Sequence, residues 1–193
     1  MKVSSKDLLD ELIVKVGKHK KSVEGFLSLS EEMLNKRIEP GSWSVLECMA
    51  HLNRYFDFYI PEIGARIATA KHPATELFQS KMLGNYFAKS MLPSKKMKKI
   101  KTFKSMDPID SKLDKDTLVQ YIQYQEELMA LIDKARKVDI SKTKTAISIS
   151  KWLKLKLGDT FRVLVNHDER HLLQASQVLD HFNGTTETTP RVG

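Results

Sequence analysis

An all-α four-helix bundle is the architecture this chain predicts. Four segments place apolar residues at helical spacing, no segment alternates convincingly as a strand, and the links between the four are polar or turn-rich. The 193 residues suit one domain with a core of its own. We read 1–183 as that single helical domain and 184–193 as a polar C-terminal tail.

The first helix is expected over residues 5–29, where Leu8, Leu9, Leu12, Ile13, Val16, Val23, Phe26 and Leu27 recur near helical spacing. A short helical turn at 30–35 and a Glu39-Pro40-Gly41 turn follow. Ser44 and Glu47 form the S-x-x-E capping box that starts the second helix, with Trp43 placed to staple the cap against Cys48. Its apolar stripe runs from Val45 to Ile67, and Pro61 within it predicts a kink or a join of two pieces. The helix should end near Lys71-His72-Pro73. Residues 74–113 are too long for a plain loop, and Leu77 to Met91 predict a short extra helix within this long connection. A third helix is expected from Asp116 to Lys137, with acids at its start and bases at its end as the macrodipole prefers. Residues 141–148 read as a polar link, and Trp152 to Leu157 as a short helix or an extended pad. Asp159 is a plausible N-cap for the fourth helix, which Asn183-Gly184 should stop.

Composition narrows the function classes. Apolar residues make up 41% and charged residues 29%, as in an ordinary soluble protein. The single cysteine excludes an internal disulfide and fits a reducing compartment. Asp7, Asp10 and Glu11 interrupt any signal-peptide core, and no run approaches ~18 apolar residues. We therefore expect a cytoplasmic protein without a membrane partner. The net charge of +8 is concentrated in residues 89–104, where Lys89, Lys95, Lys96, Lys98, Lys99, Lys101 and Lys104 meet no acid. Such a run attracts phosphates. With only Phe103 to stack on, it reads as a solvated loop, and nucleic acid is not the expected partner.

The motif that carries chemistry is HDERH at 167–171. His167 and His171, four residues apart on a helix, share one face one turn apart. His51 lies beside Leu52 on the second helix and should also face inward. Three histidines leave one position of a divalent ion open, as catalytic metal sites do, and imidazole suits zinc or nickel. The plainer alternative is a set of partly buried histidines hydrogen-bonded to neighbours. Glu47 is a minor candidate for a catalytic base or for orienting His51, since capping already explains it. Cys48 reads first as a small buried residue. Asp168 lies about 100° round the helix from His167 and is expected to pair with an Arg or Lys of a neighbouring helix. Glu169 and Arg170 read as surface contacts, and Gln174 as a bond to a ligand or to a site residue. Arg162 and Arg170 would hold an anionic substrate or be solvated, and His19, His72 and His181 are expected at the surface.

WSVLECMAHL (43–52) taken with LGDTFRVLVNHDERHLLQA (157–175) resembles the DinB-like (DinB/YfiT-type) superfamily of metal-dependent four-helix-bundle proteins. The resemblance extends from the first helix to about Phe182. It implies that one histidine of the second helix and an H-x-x-x-H of the fourth bind a divalent metal, which here are His51, His167 and His171. It further implies a metal-dependent enzyme acting on a small molecule, either a hydrolase or a low-molecular-weight-thiol S-transferase. The alternative is a non-catalytic metal-binding or interaction module, as a homodimer.

Overall fold

A computed structural model describes residues 1–93, 102–148 and 150–186. Four long helices form the body: α1 (Ser5–Phe26), α3 (Val45–Ala68), α5 (Asp116–Lys134) and α6 (Leu157–Thr186). A one-turn helix α2 (Glu31–Asn35) precedes α3, and α4 (Met82–Ser90) is the extra helix in the long connection. α1 packs against α5 and α6, and α3 packs against the same two. This is the ring of a four-helix bundle, with α1 and α3 on one diagonal and α5 and α6 on the other. Leu9, Val16, Leu52, Phe56, Leu128, Phe161 and Val165 are among the side chains that fill its core.

Each helix start has a local cause. Ser4 accepts from the Asp7 amide at α1, and Ser30 accepts from the Met33 amide at α2. At α3 both halves of the capping box form: Ser44 Oγ accepts from the Glu47 amide at 3.2 Å and Glu47 Oε2 from the Ser44 amide at 2.9 Å. α3 then passes through Pro61 as one helix, so the proline does not join two pieces. It costs the ladder one hydrogen bond that neighbouring turns tolerate.

Several boundaries differ from expectation. Two small antiparallel sheets are present where no strand was expected. β1 (Lys2–Ser4) pairs with β2 (Leu77–Gln79), so Leu77 and Phe78 belong to a strand and only Met82–Ser90 is helical. Three-residue strands are too short to display a period. β3 (Lys144–Ile147) pairs with β4 (Ser150–Lys156), so the polar link becomes a strand and the Trp152 segment takes the extended one of its two expected forms. α1 ends at Phe26, and α5 ends at Lys134 before a 3-10 turn over Ala135–Lys137. α6 begins at Leu157, so Asp159 lies inside its first turn and is not the cap; it accepts instead from Ser80 Oγ at 2.6 Å and Arg162 Nη1 at 3.0 Å. α4 approaches so closely here that a Cβ on Gly84 would clash with the Asp159 side chain. α6 also runs on through Asn183-Gly184 to Thr186, because neither residue is forced out of helical geometry.

Of the lysine run, Lys89 closes α4 and Lys104 opens a 3-10 turn over Lys104–Met106, whereas Lys95, Lys96, Lys98, Lys99 and Lys101 lie outside the described residues, as do residues 187–193 of the tail. No helix among the described residues is long and apolar enough to cross a membrane.

Glu47 anchors the start of α3. Its carboxylate, 2% exposed, accepts from Arg37 Nε at 3.0 Å and Nη2 at 2.5 Å, from the Ser44 amide, and from the Asp110 amide at 3.0 Å. Replacing it leaves two amides unpaired and removes two of the bonds of the Arg37 guanidinium, which keeps only Asp110. Glu47→Ala is expected to cost about 3 kcal/mol, read as a fall in the urea unfolding midpoint. A loss below about 1 kcal/mol would show that capping alone is at stake.

Candidate metal centre

The capped start of α3 sets the rotation of that helix and buries Val45, Leu46, Cys48, Met49, His51 and Leu52 together. His51 thereby meets His167 and His171 of α6, and the exposures of the three are 3%, 8% and 8%. The Nε2 atom of His167 lies 3.3 Å from that of His51 and 3.1 Å from that of His171. The three residues form one cluster whose ligand atoms all lie within 4.8 Å of one another. The sequence-predicted trio is brought together.

The other ring nitrogens fix the tautomers. His51 Nδ1 lies 2.7 Å from the Met106 carbonyl, which can only accept, so the proton sits on Nδ1 and Nε2 keeps its lone pair. His171 Nδ1 lies 3.0 Å from Gln174 Oε1, which assigns the same tautomer there. Such outer contacts are the usual way in which a metal-binding imidazole is aimed.

Two aromatic rings enclose the cluster. Trp43 lies with its centroid 4.6 Å from His51 and 5.6 Å from His171, and Tyr55 lies 5.0 Å from His51 and 4.8 Å from His167. Trp43 is therefore a wall of the site as well as a neighbour of the cap. The segment that supplies the Met106 carbonyl is held by Arg54 Nη1 on the Asp107 carbonyl at 2.6 Å and by Trp43 Nε1 on Asp107 Oδ1 at 3.1 Å. Sequence reasoning missed Tyr55 and Met106. Tyr55 falls one turn beyond His51 and could have been found by spacing, but a backbone carbonyl 55 residues away leaves no mark in the sequence.

Burial governs the electrostatics. Desolvation holds His51 down to about 4 and His171 to about 3, while His167 is held well below its ordinary value by burial and by its two histidine neighbours. All three imidazoles are neutral at pH 7, the form that coordinates. Two nitrogens bound at 2.0–2.1 Å to a tetrahedral zinc stand about 3.3 Å apart. The spacings of 3.1 and 3.3 Å and the aimed rings of His51 and His171 fit a divalent ion.

Other candidates fall elsewhere. Cys48 is fully buried in the apolar core, where burial pushes its thiol well up, so it is packing and not a nucleophile. Asp168 pairs with no arginine or lysine among the described residues. It is 1% exposed, accepts from Gln125 Nε2 at 3.0 Å across the bundle, and lies 3.9 Å from His19 Nδ1. His19 is likewise buried, at 8% exposure, and is not a surface group. The buried face of α6 is wide enough to take in Asp168 next to the histidines, and His19 falls on the buried face of α1 with Leu12, Val16 and Val23. Arg162 is neither solvated nor free, since it joins Asp159 to Asn85. Glu169 lies 3.7 Å from Lys15, and His72 and His181 are exposed.

The family described as the DinB superfamily matches residues 19–175. The chain belongs to the DinB superfamily. Neither the curated proteins nor the solved structures compared with it contain a match. The matched range starts at His19 and takes in α3, the long connection, α5 and both histidines of α6, so this DinB chain carries its whole histidine cluster inside the matched segment.

Stability of the metal-free protein should fall with acid. His19 and His51 are held near 4 and His171 near 3 when folded, against about 6.5 for the unfolded chain. Between those values the unfolded state binds more protons, so their contribution is full above about pH 6.5 and is lost as pH falls toward 4. Burial raises Asp168 and works in the opposite sense, one group against four. The thermal midpoint of chelator-treated protein should therefore drop between pH 7.5 and pH 5. An unchanged midpoint would contradict a neutral buried set.

Proposed function

We propose that this DinB-superfamily chain is a divalent-metal-dependent enzyme in which His51, His167 and His171 hold zinc or nickel. The observation that supports it is the convergence of three neutral Nε2 atoms, with 3.1 and 3.3 Å between neighbours, in a site whose rings are aimed from behind. An ion held by three histidines keeps a position for water or substrate, polarises a carbonyl, and lowers the pKa of a coordinated water or thiol. Hydrolysis of a small molecule and S-transfer from a low-molecular-weight thiol both use that chemistry, and this is the reaction class we assign.

The roles of the chain's own residues follow. Met106 and Gln174 keep protons on the outer nitrogens of His51 and His171, which frees the inner lone pairs. Trp43 and Tyr55 shield the cluster from bulk water and offer ring faces to the apolar part of a substrate. Arg54 and Asp107 hold the 3-10 turn in place so that the Met106 carbonyl stays on His51. Glu47 is occupied by Arg37 and two amides, so we give it the anchoring role and no proton to carry. A single cysteine, buried, suits a reducing cytoplasmic setting.

The histidines' low exposures favour one second reading, a closed metal-binding module without catalysis. Activity separates the two. Metal-loaded protein should conjugate an electrophile with a small thiol or hydrolyse members of an ester and amide panel, and His51→Ala should fall to background. Inactivity of the loaded protein across both panels would leave the non-catalytic reading.

A further inference from the structure

Four buried side chains meet in the middle of the bundle, on the face of α6 that turns away from the histidine cluster. Tyr121 and Gln125 stand one turn apart on α5, Asp168 faces them from α6, and His19 comes in from α1. Tyr121 and Gln125 are fully buried, Asp168 is 1% exposed and His19 8%. One hydrogen bond joins them, from Gln125 Nε2 to Asp168 Oδ2 at 3.0 Å. The Tyr121 hydroxyl adjoins the carboxylate without reaching good hydrogen-bond geometry, and His19 Nδ1 stands off at 3.9 Å. Tyr121 Oη, Gln125 Oε1, Asp168 Oδ1 and His19 Nδ1 each lack a hydrogen-bond partner among the described residues.

A buried polar atom without a partner lowers stability, and protein interiors satisfy nearly all of theirs. Four at one place point to a bridging group, and their chemistry selects it. Gln125 Oε1 can only accept, the Tyr121 hydroxyl has a proton to give, and His19 Nδ1 and Asp168 Oδ1 accept or donate according to where their protons lie. A water gives two hydrogens and takes two, so it suits a set that holds both donors and acceptors. A metal ion needs a lone pair from every ligand, and burial keeps the proton on Tyr121. The 3.9 Å between His19 and Asp168 is longer than a hydrogen bond and short enough for one water to span.

We propose that His19, Tyr121, Gln125 and Asp168 enclose a site for an ordered internal water, and that this water ties α1 and α5 to the metal-binding turn of α6. The second half rests on the metal reading above. Asp168 follows His167 directly, so whatever holds its carboxylate also holds the angle at which His167 and His171 meet His51. His19, Tyr121 and Gln125 are positioning residues that act through Asp168.

The test uses the full chain and Tyr121→Phe, which removes one oxygen and little else. If that oxygen is bonded to water, the thermal midpoint should fall by about 2–4 °C. If it has no partner, its removal relieves the protein, so an unchanged or raised midpoint overturns the proposal. Oxygen-17 relaxation dispersion counts long-lived internal waters and should find at least one fewer in Gln125→Leu than in the parent; an equal count overturns the proposal. More than one zinc ion per chain in the parent would give the site to a metal and overturn it as well. Zinc affinity, by competition with a chelator, should fall about 10-fold in Tyr121→Phe. It should hold in Ile63→Val, a core truncation on α3 about 18 Å along the helix from His51. Equal losses of affinity in the two variants would overturn the positioning role. A parent chain that takes up no zinc refutes the metal reading alone, and the midpoint and the water count still decide the site.

Discussion

Three imidazole rings with their Nε2 atoms turned toward one another are a costly thing to place inside an apolar core, and much of this bundle is arranged around keeping them there. Burial removes water from the rings and keeps them neutral, and neutrality is what lets three nitrogens sit 3.1 and 3.3 Å apart without charge repulsion. A cation shared among the lone pairs would compensate that crowding, so the constraint that shapes the interior is also what suits it to a metal.

The supports come from every part of the chain. α3 is fixed at its start by the Ser44 and Glu47 capping box and by the Arg37 ion pair, which sets the rotation that turns His51 inward. α6 is fixed on two faces. His167 and His171 look toward α3, while Asp168, between them in sequence, reaches across the bundle to Gln125 of α5 and lies beside His19 of α1. A helix held by polar contacts on one side and by ring packing on the other has little freedom to turn. The long connection contributes as well: the 3-10 turn at Lys104–Met106 delivers a carbonyl to His51, so residues far from the motif complete it.

The sequence made the helical frame and the histidine trio legible for one reason: both are written in helical spacing. His167 and His171 are one turn apart, and Ser44 to Glu47 is a local box, so local geometry determines both. What could not be read depends on contacts distant in the chain. His19 was expected at the surface because its neighbour Asp168 lies on another helix, and Asp168 was expected opposite an arginine or lysine because the glutamine of α5 that it meets is distant in the chain. The Met106 carbonyl carries no side-chain signature. The small sheets were missed because β1 and β2 have three residues each and the alternation of β4 is cut by a bulge. The stop expected at Asn183-Gly184 failed because a glycine only permits a left-handed turn and does not impose one.

The polar contacts at Asp168 and the histidine cluster lie on two faces of α6, and they can be separated by experiment. The central claim concerns the cluster. The most direct measurement is the metal content of untagged protein after reconstitution with zinc and removal of excess, by elemental analysis. Close to one ion per chain, falling to near zero in His167→Ala with the fold intact by circular dichroism, is the predicted result. No retained metal in the parent protein, or equal metal in the variant, would contradict it.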